Sequence, residues 1–191
     1  MTRQHLLERI TNLAKPLAHS LGLSLWGLEL SSGPRLILRV YLEKAADEGV
    51  GIDDCASFSR LFGISLDVED IMPGAYVLEV SSPGFERLFF TAAQLAGAVG
   101  RLLDISLHEA PADRGGRKKF RGQLLAGPEP ENDLPDDALF VLRLENEEEQ
   151  PEDDLVFSFA NVKKARQVWI APEKVRPGKS GRQQQKDARK R

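Results

Sequence analysis

The sequence predicts an α+β chain: an N-terminal α-β-β-α-β domain, a small closed β-barrel after it, and a basic tail. Three observations carry this. Helical and strand periodicities alternate up to Val80, whereas only short alternating runs occur between Leu103 and Ile170. Ser81-Ser82-Pro83-Gly84 interrupts the pattern between them. A chain of 191 residues, 41% hydrophobic, is long enough to fill two small cores.

Residues 3–21 place Leu6, Ile10, Leu13, Leu17 and Leu21 at steps of three and four, one apolar helical stripe. Pro16 lies inside it and predicts a kink or break near Lys15, because proline removes a helical hydrogen bond and crowds the preceding turn. Gly22 suits the stop. Two strands follow. Trp26, Leu28 and Leu30 are expected to share one face with Glu29 opposite, and Leu36, Leu38, Val40 and Leu42 share a face with Arg39 opposite. The turn-forming Ser31-Ser-Gly-Pro34 between them makes a hairpin.

After a polar loop, Asp53 is a helix N-cap and Asp54 lies in the first turn, where the helix dipole favours negative charge. Cys55, Phe58, Leu61, Phe62 and Leu66 form the expected buried side of that helix. Tyr76, Leu78 and Val80 form one face of a third strand. The domain boundary is placed between Ser81 and Thr91, giving domains at 1–84 and 85–172 with a linker over 81–90.

Thr91-Ala-Ala-Gln94 has capping-box spacing and opens a short helix closed by Gly100. Alternation then runs through Leu103, Ile105 and Leu107; Phe120 and Leu124; Ala138, Phe140, Leu142 and Leu144; and Leu155, Phe157 and Phe159. Asn161–Ala165 reads as one helical turn, and Val168 and Ile170 begin a last strand. Five short strands without a long helix suit a closed barrel, since closure removes exposed edges.

The formal net charge is only -3, but charge is strongly segregated. Segments 127–137 and 145–154 carry twelve acidic residues. Residues 173–191 carry Lys174, Arg176, Lys179, Arg182, Lys186, Arg189, Lys190 and Arg191 against Asp187 after Glu173, with almost nothing apolar, and are expected to be a disordered basic tail. The single cysteine, Cys55, precludes an intramolecular disulfide, which suits a cytoplasmic protein. No run approaches the ~20 apolar residues of a membrane span, and no secretory leader is evident.

Enzyme chemistry is poorly supported. His5, His19 and His108 stand apart without metal-ligand spacing, and no phosphate-binding glycine motif occurs. Cys55 reads as a core residue and Asp53-Asp54 as caps. No catalytic residue, metal ligand or cofactor is expected.

Tyr76-Val-Leu-Glu-Val-Ser-Ser-Pro-Gly84 followed by Glu86-Arg87 closely resembles the central signature of the RimP family of ribosome maturation factors. Trp26-Gly-Leu-Glu-Leu30, Val50-Gly-Ile-Asp-Asp-Cys55 with Ser59-Arg60, Leu66-Asp-Val-Glu-Asp70 with Pro73-Gly74, Gly116-Arg-Lys-Lys-Phe-Arg-Gly122 and Lys163-Lys-Ala-Arg166 are similar to family segments in the same order. The resemblance covers roughly residues 3–170. It implies that the second domain is an SH3-like, Sm-like barrel. It also implies transient, non-catalytic binding to the immature small (30S) ribosomal subunit, with 16S rRNA and ribosomal protein S-twelve as partners. The chain departs from the family at Leu88-Phe89-Phe90, where proline usually follows the arginine; its loss is expected to loosen the linker slightly.

Read alone, Ser81, Ser82, Pro83 and Gly84 make a plain turn; with the resemblance, they and Arg87 become an interdomain hinge with a structural or a contact role. Arg114, Arg117, Lys118, Lys119 and Arg121 alternate with Phe120, so the strand reads as a solvated hairpin face or as a contact for phosphate or an acidic partner. Lys163, Lys164 and Arg166 join them as expected RNA or ribosome contacts. The tail bases Lys179, Arg182, Lys186, Arg189, Lys190 and Arg191 are expected to release counterions from RNA. A general RNA-binding regulator of Sm-like type is the alternative function.

Overall fold

In a computed structural model, residues 2–31, 33, 35–44, 49–131, 133–145 and 154–169 are described. Thr2 accepts a hydrogen bond from the His5 amide and starts α1 (Arg3–Ser20), whose stripe buries Leu6, Ile10, Ala14 and Ala18. The helix passes Pro16 without a break. The carbonyl that Pro16 leaves without its usual donor belongs to Asn12, which is exposed, so water can take its place. Gly22, at φ +70°, provides the left-handed turn into β1.

β1 (Ser24–Leu30) and β2 (Leu36–Glu43) pair antiparallel, and β3 (Tyr76–Ser81) lies parallel to β2, in the order β1-β2-β3. The parallel return is made by α2 (Ile52–Val68). This helix begins earlier than Asp53: Gly51 occupies the cap, and the Asp54 carboxylate accepts its amide at 2.8 Å. Phe58, Phe62 and Leu66 are buried, but Leu61 is exposed and Cys55 only half-buried, so the helix buries a narrower stripe than expected. One face of the sheet, with Leu30, Leu38, Val40 and Leu42, meets both helices in one core.

Trp26 does not share the face of Leu28 and Leu30. The β1–β2 register jumps between Leu25 and Gly27, making Trp26 the extra residue of a bulge. Leu25 and Leu28 therefore pack on the first core, while Trp26 packs on the second.

Six strands form the second sheet, in the order β4-β9-β5-β6-β7-β8: β4 (Leu88–Phe89), β5 (Leu102–Leu107), β6 (Lys119–Ala126), β7 (Leu139–Leu144), β8 (Asp154–Ser158) and β9 (Val162–Gln167). Thr91 caps α3 (Ala92–Ala96), which gives way at Gly97 before the expected stop at Gly100. Two further expectations are corrected. The helical turn is Phe159–Asn161, and the last strand is Val162–Gln167, ending just before the expected start at Val168; Ile170 lies outside the described residues. Leu88–Phe89 is a strand where a loosened linker was expected, pairing with Arg166 and Ala165. The chain is thus mixed α+β, with a β-rich C-terminal half. Among the described residues its end strands β4 and β8 do not pair, so the expected closure is not found. Inward side chains of all six strands nevertheless converge on one core, including Phe89, Leu103, Phe120, Phe140, Phe157 and Ala165.

Candidate nucleic-acid interface

Strand alternation builds a cationic face on the second sheet. Phe120 and Leu124 of β6 point into the core, so Lys119 and Arg121 point out. In β9, Ala165 is buried and Lys164 and Arg166 face solvent. Strand β5 runs between β6 and β9, and its outward residues set the register: Asp104 lies beside Arg121 and Arg166, and Ser106 beside Lys119 and Lys164. Arg117 completes the row from the loop before β6, its guanidinium 5.1 Å over the Phe120 ring and bonded to the Lys119 carbonyl. A shallow groove of about 610 Å³ is lined by these five cations and a single carboxylate, that of Asp104.

Asp104 orders the face. Arg121 bonds it through both oxygens, at 2.7 and 3.0 Å, and Arg166 reaches it at 3.3 Å. The Arg121 bonds above all hold the Asp104 carboxyl below its usual range, with a smaller contribution from Arg166. Arg166 also reaches Glu86 at 3.0 Å, and Lys164 reaches Glu29 at 3.2 Å. Lys119 has no ion pair among the described residues.

The other expected contacts are placed elsewhere. Lys118 donates to the His108 carbonyl at 2.7 Å. Arg114 meets Asp113 and the Asp154 carbonyl, at the end of the sheet that carries the acidic segment. Lys163 is exposed but alternates out of the row. The tail bases Lys179, Arg182, Lys186, Arg189, Lys190 and Arg191, like acidic residues 147–153, lie outside the described residues.

Of the expected hinge, Ser81 closes β3 opposite Tyr41, and Gly84 turns the chain at φ +66°. Arg87 is pinned on three sides: 2.5 Å from Glu43, 5.1 Å over the Trp26 ring, and bonded through its carbonyl to the Gln167 amide at 2.8 Å. Leu88 leaves its own carbonyl to the Trp26 indole N–H at 2.7 Å.

The seam between the two sheets was not evident in the sequence. Trp26 meets Phe89 edge-on at 6.4 Å, and the Gln94 amide donates to the Trp26 carbonyl at 2.7 Å. Gly27 is buried under the Phe90 ring, which lies so close that a Cβ there would collide with it. Tyr41 packs on Phe90 at 5.7 Å and donates to Glu29, which thereby joins Tyr41 to Lys164 across the seam. The only available signal was Trp26-Gly27 itself, a bulky residue beside one that allows close approach. A cleft of about 1020 Å³ opens along this seam, walled by Trp26, Arg87, Gln94, Arg101 and the Ser82–Phe85 loop.

Among the described residues, no three His, Cys, Asp or Glu side chains gather as metal ligands, and no polar side chain is fully buried. Burial pushes the Cys55 thiol up from its ordinary value, assisted by Asp54, so it is a poor nucleophile. No helix of the described residues is long and apolar enough to cross a membrane.

Residues 13–86 match the RimP N-terminal domain. A protein of Nitratidesulfovibrio vulgaris strain DP4, named ribosome maturation factor RimP, is 43% identical over 91% of this chain and 96% of its own length. Its namesake in the Miyazaki F strain is 35% identical over 100% of this chain and 94% of its own. A third protein of that name, from Lawsonia intracellularis, is 38% identical over 66% of this chain and 71% of its own.

Proposed function

Since the chain belongs to the ribosome maturation factor RimP family, we propose that it acts in maturation of the small (30S) ribosomal subunit, in the cytoplasm, by binding and without catalysis. The observation that carries the mode of binding is the alignment of Arg117, Lys119, Arg121, Lys164 and Arg166 on one outward face, from two strands flanking a third. Such a row matches the repeating charge of an RNA backbone, and its contacts are of the kind that position a protein without reading sequence. Immature 16S rRNA is the proposed ligand of this face, with ribosomal protein S-twelve as a further partner of the bound state.

Two domains divided at the Ser81–Phe90 linker are supported by the two separate cores. The second is read as an SH3-like barrel: six short strands share one core with only the five-residue α3 beside them, which requires a strongly curled sheet. Arg87, tied to both halves, holds them at a set angle. The factor favours one conformation of the immature subunit to the extent that it binds that conformation more tightly than the mature one.

The test is the triple variant R117S/K119S/R121S, assayed by complementation in cells lacking the factor and by sucrose-gradient profiles. Thermal stability should change little, because exposed charges contribute little to folding. Association with small-subunit precursors should fall, with precursor rRNA accumulating and growth slowed in the cold. Full restoration of growth and of mature subunits by the triple variant would show the face to be solvated only.

A further inference from the structure

We propose that the cleft along the seam takes an unpaired RNA nucleotide, its base stacked on the Phe85–Trp169 pair and its flanking phosphates met by Arg101 and the adjoining cationic groove. This rests on the reading of the cationic face as an RNA contact and extends it to a second, chemically different subsite.

The starting point is an unusual exposure. Phe85 is 75% and Trp169 49% exposed, yet their rings face each other at 5.9 Å and 38°. Phe85 is a cleft residue, projecting from the turn that Gly84 makes possible. Large aromatic rings held beside each other at a cleft mouth, and not covered by the described residues, form a platform for another π-face. Base stacking on such platforms is sequence-tolerant, since every base offers a face.

Charge selects the occupant. Lys44, Arg87 and Arg101 line the cleft against Glu43 alone. Lys44 is paired with Asp54 and Arg87 with Glu43, whereas Arg101 is exposed and has no ion pair among the described residues. An anionic strand suits this wall. The chain's own residues 173–191, net positive, do not. Gln167 adds an amide on the cleft wall that can accept from or donate to a base edge, while the Gln94 amide is held by Phe90 and Trp26.

The two subsites adjoin. Arg166 lines the groove and also bonds Glu86, the neighbour of Phe85, while Trp169 lies just past Val168 beyond the end of the strand that carries Lys164 and Arg166. A strand whose phosphates follow the groove therefore arrives at the aromatic pair, and a double helix, with its bases stacked inside, has none to offer there.

The experiment uses the full chain and fluorescence anisotropy with three polyanionic probes: a labelled single-stranded hexanucleotide, the same backbone without bases, and hexaglutamate. The base-bearing strand should bind about tenfold more tightly than the abasic one, the size expected of one stacked base. F85A/W169A should abolish that preference and leave abasic binding unchanged. F85L/W169L, which keeps apolar bulk without a ring, should do the same, with unaltered thermal midpoints showing that the fold is intact. R117S/K119S/R121S should weaken both nucleic-acid probes alike. If it weakens neither while F85A/W169A still abolishes the preference, the groove reading fails and the stacking site stands. Equal affinity for the base-bearing and abasic strands, a preference that survives F85A/W169A, or hexaglutamate binding as tightly as the base-bearing strand would overturn the proposal.

Discussion

A single extra residue on β1 decides which core Trp26 serves. Without the bulge, its indole would lie beside Leu28 and Leu30 under the helices; with it, the indole meets Leu88, Phe89 and Arg87. Trp26→Ala should therefore cost about 3 kcal/mol, the low end for a large aromatic truncation because the ring is half-buried. That loss should appear as uncoupling: calorimetry should show two separated unfolding transitions. Leu38→Ala, in the first core, should lower the first transition by itself. Gly27→Ala should uncouple the halves as well, since its Cβ would displace Phe90. Tyr41 makes the seam sensitive to alkali. Burial first, and the bond to Glu29 second, push its phenol from 10.0 up to about 12. A raised pKa means that the folded state holds the proton more tightly, so the contribution is complete below pH 10 and is lost as pH rises through about 12. Tyr41→Phe should flatten this part of the stability profile, measured as thermal midpoints between those values, and the phenolate absorbance should lose its step near pH 12.

At the scale of elements, β5 separates two cationic strands and carries Asp104, the carboxylate that both of them reach. Asp104→Asn should release Arg121, while Arg166 keeps its bond to Glu86, and so raise RNA affinity and steepen its salt dependence by up to about one in slope, for the one freed cation that meets a phosphate. An unchanged slope would show that Arg121 faces solvent only. The outward row of β6 was legible in the sequence, because Phe120 and Leu124 fix the inward side and period two does the rest. The α1 stripe, the buried face of β2 and the Thr91 cap were legible for the same local reason. What was not legible depended on partners distant in sequence. Lys163-Lys-Ala-Arg offers one small apolar residue, so β9 becomes a strand only because β4 and β5 lie on either side of it. Leu88–Phe89 is too short to show a period. Pro16 is tolerated because Asn12 faces water, and the Trp26 bulge is set by register against Tyr41. The bond between Lys164 and Glu29 joins strands from opposite ends of the chain, which no local pattern encodes.

For the whole molecule, the net charge of -3 conceals a division of labour among acidic segments, a cationic groove and a basic tail. Removing Lys174–Arg191 should leave the folded halves intact, because after Val175 the segment has almost no apolar residue to give to a core. It should make the salt dependence of subunit binding shallower, read from binding at several salt concentrations. An unchanged slope would remove the tail from the interface. The parallel pairing of β2 with β3 also sets a timetable. Antiparallel β1 and β2 need only the short turn between them, but the parallel third strand requires the whole crossover from Glu43 to Tyr76, with α2 in it. The strand that arrives last, β3, is also the one that leads into Ser82 and the cleft. On that order the first half should be able to complete itself during synthesis once the linker has emerged. The second half is then assembled from residues that emerge beside an open sheet face already bearing Trp26, Gly27 and Tyr41. A lesion that delays α2 should accordingly be felt downstream, as misdocked rather than unfolded protein.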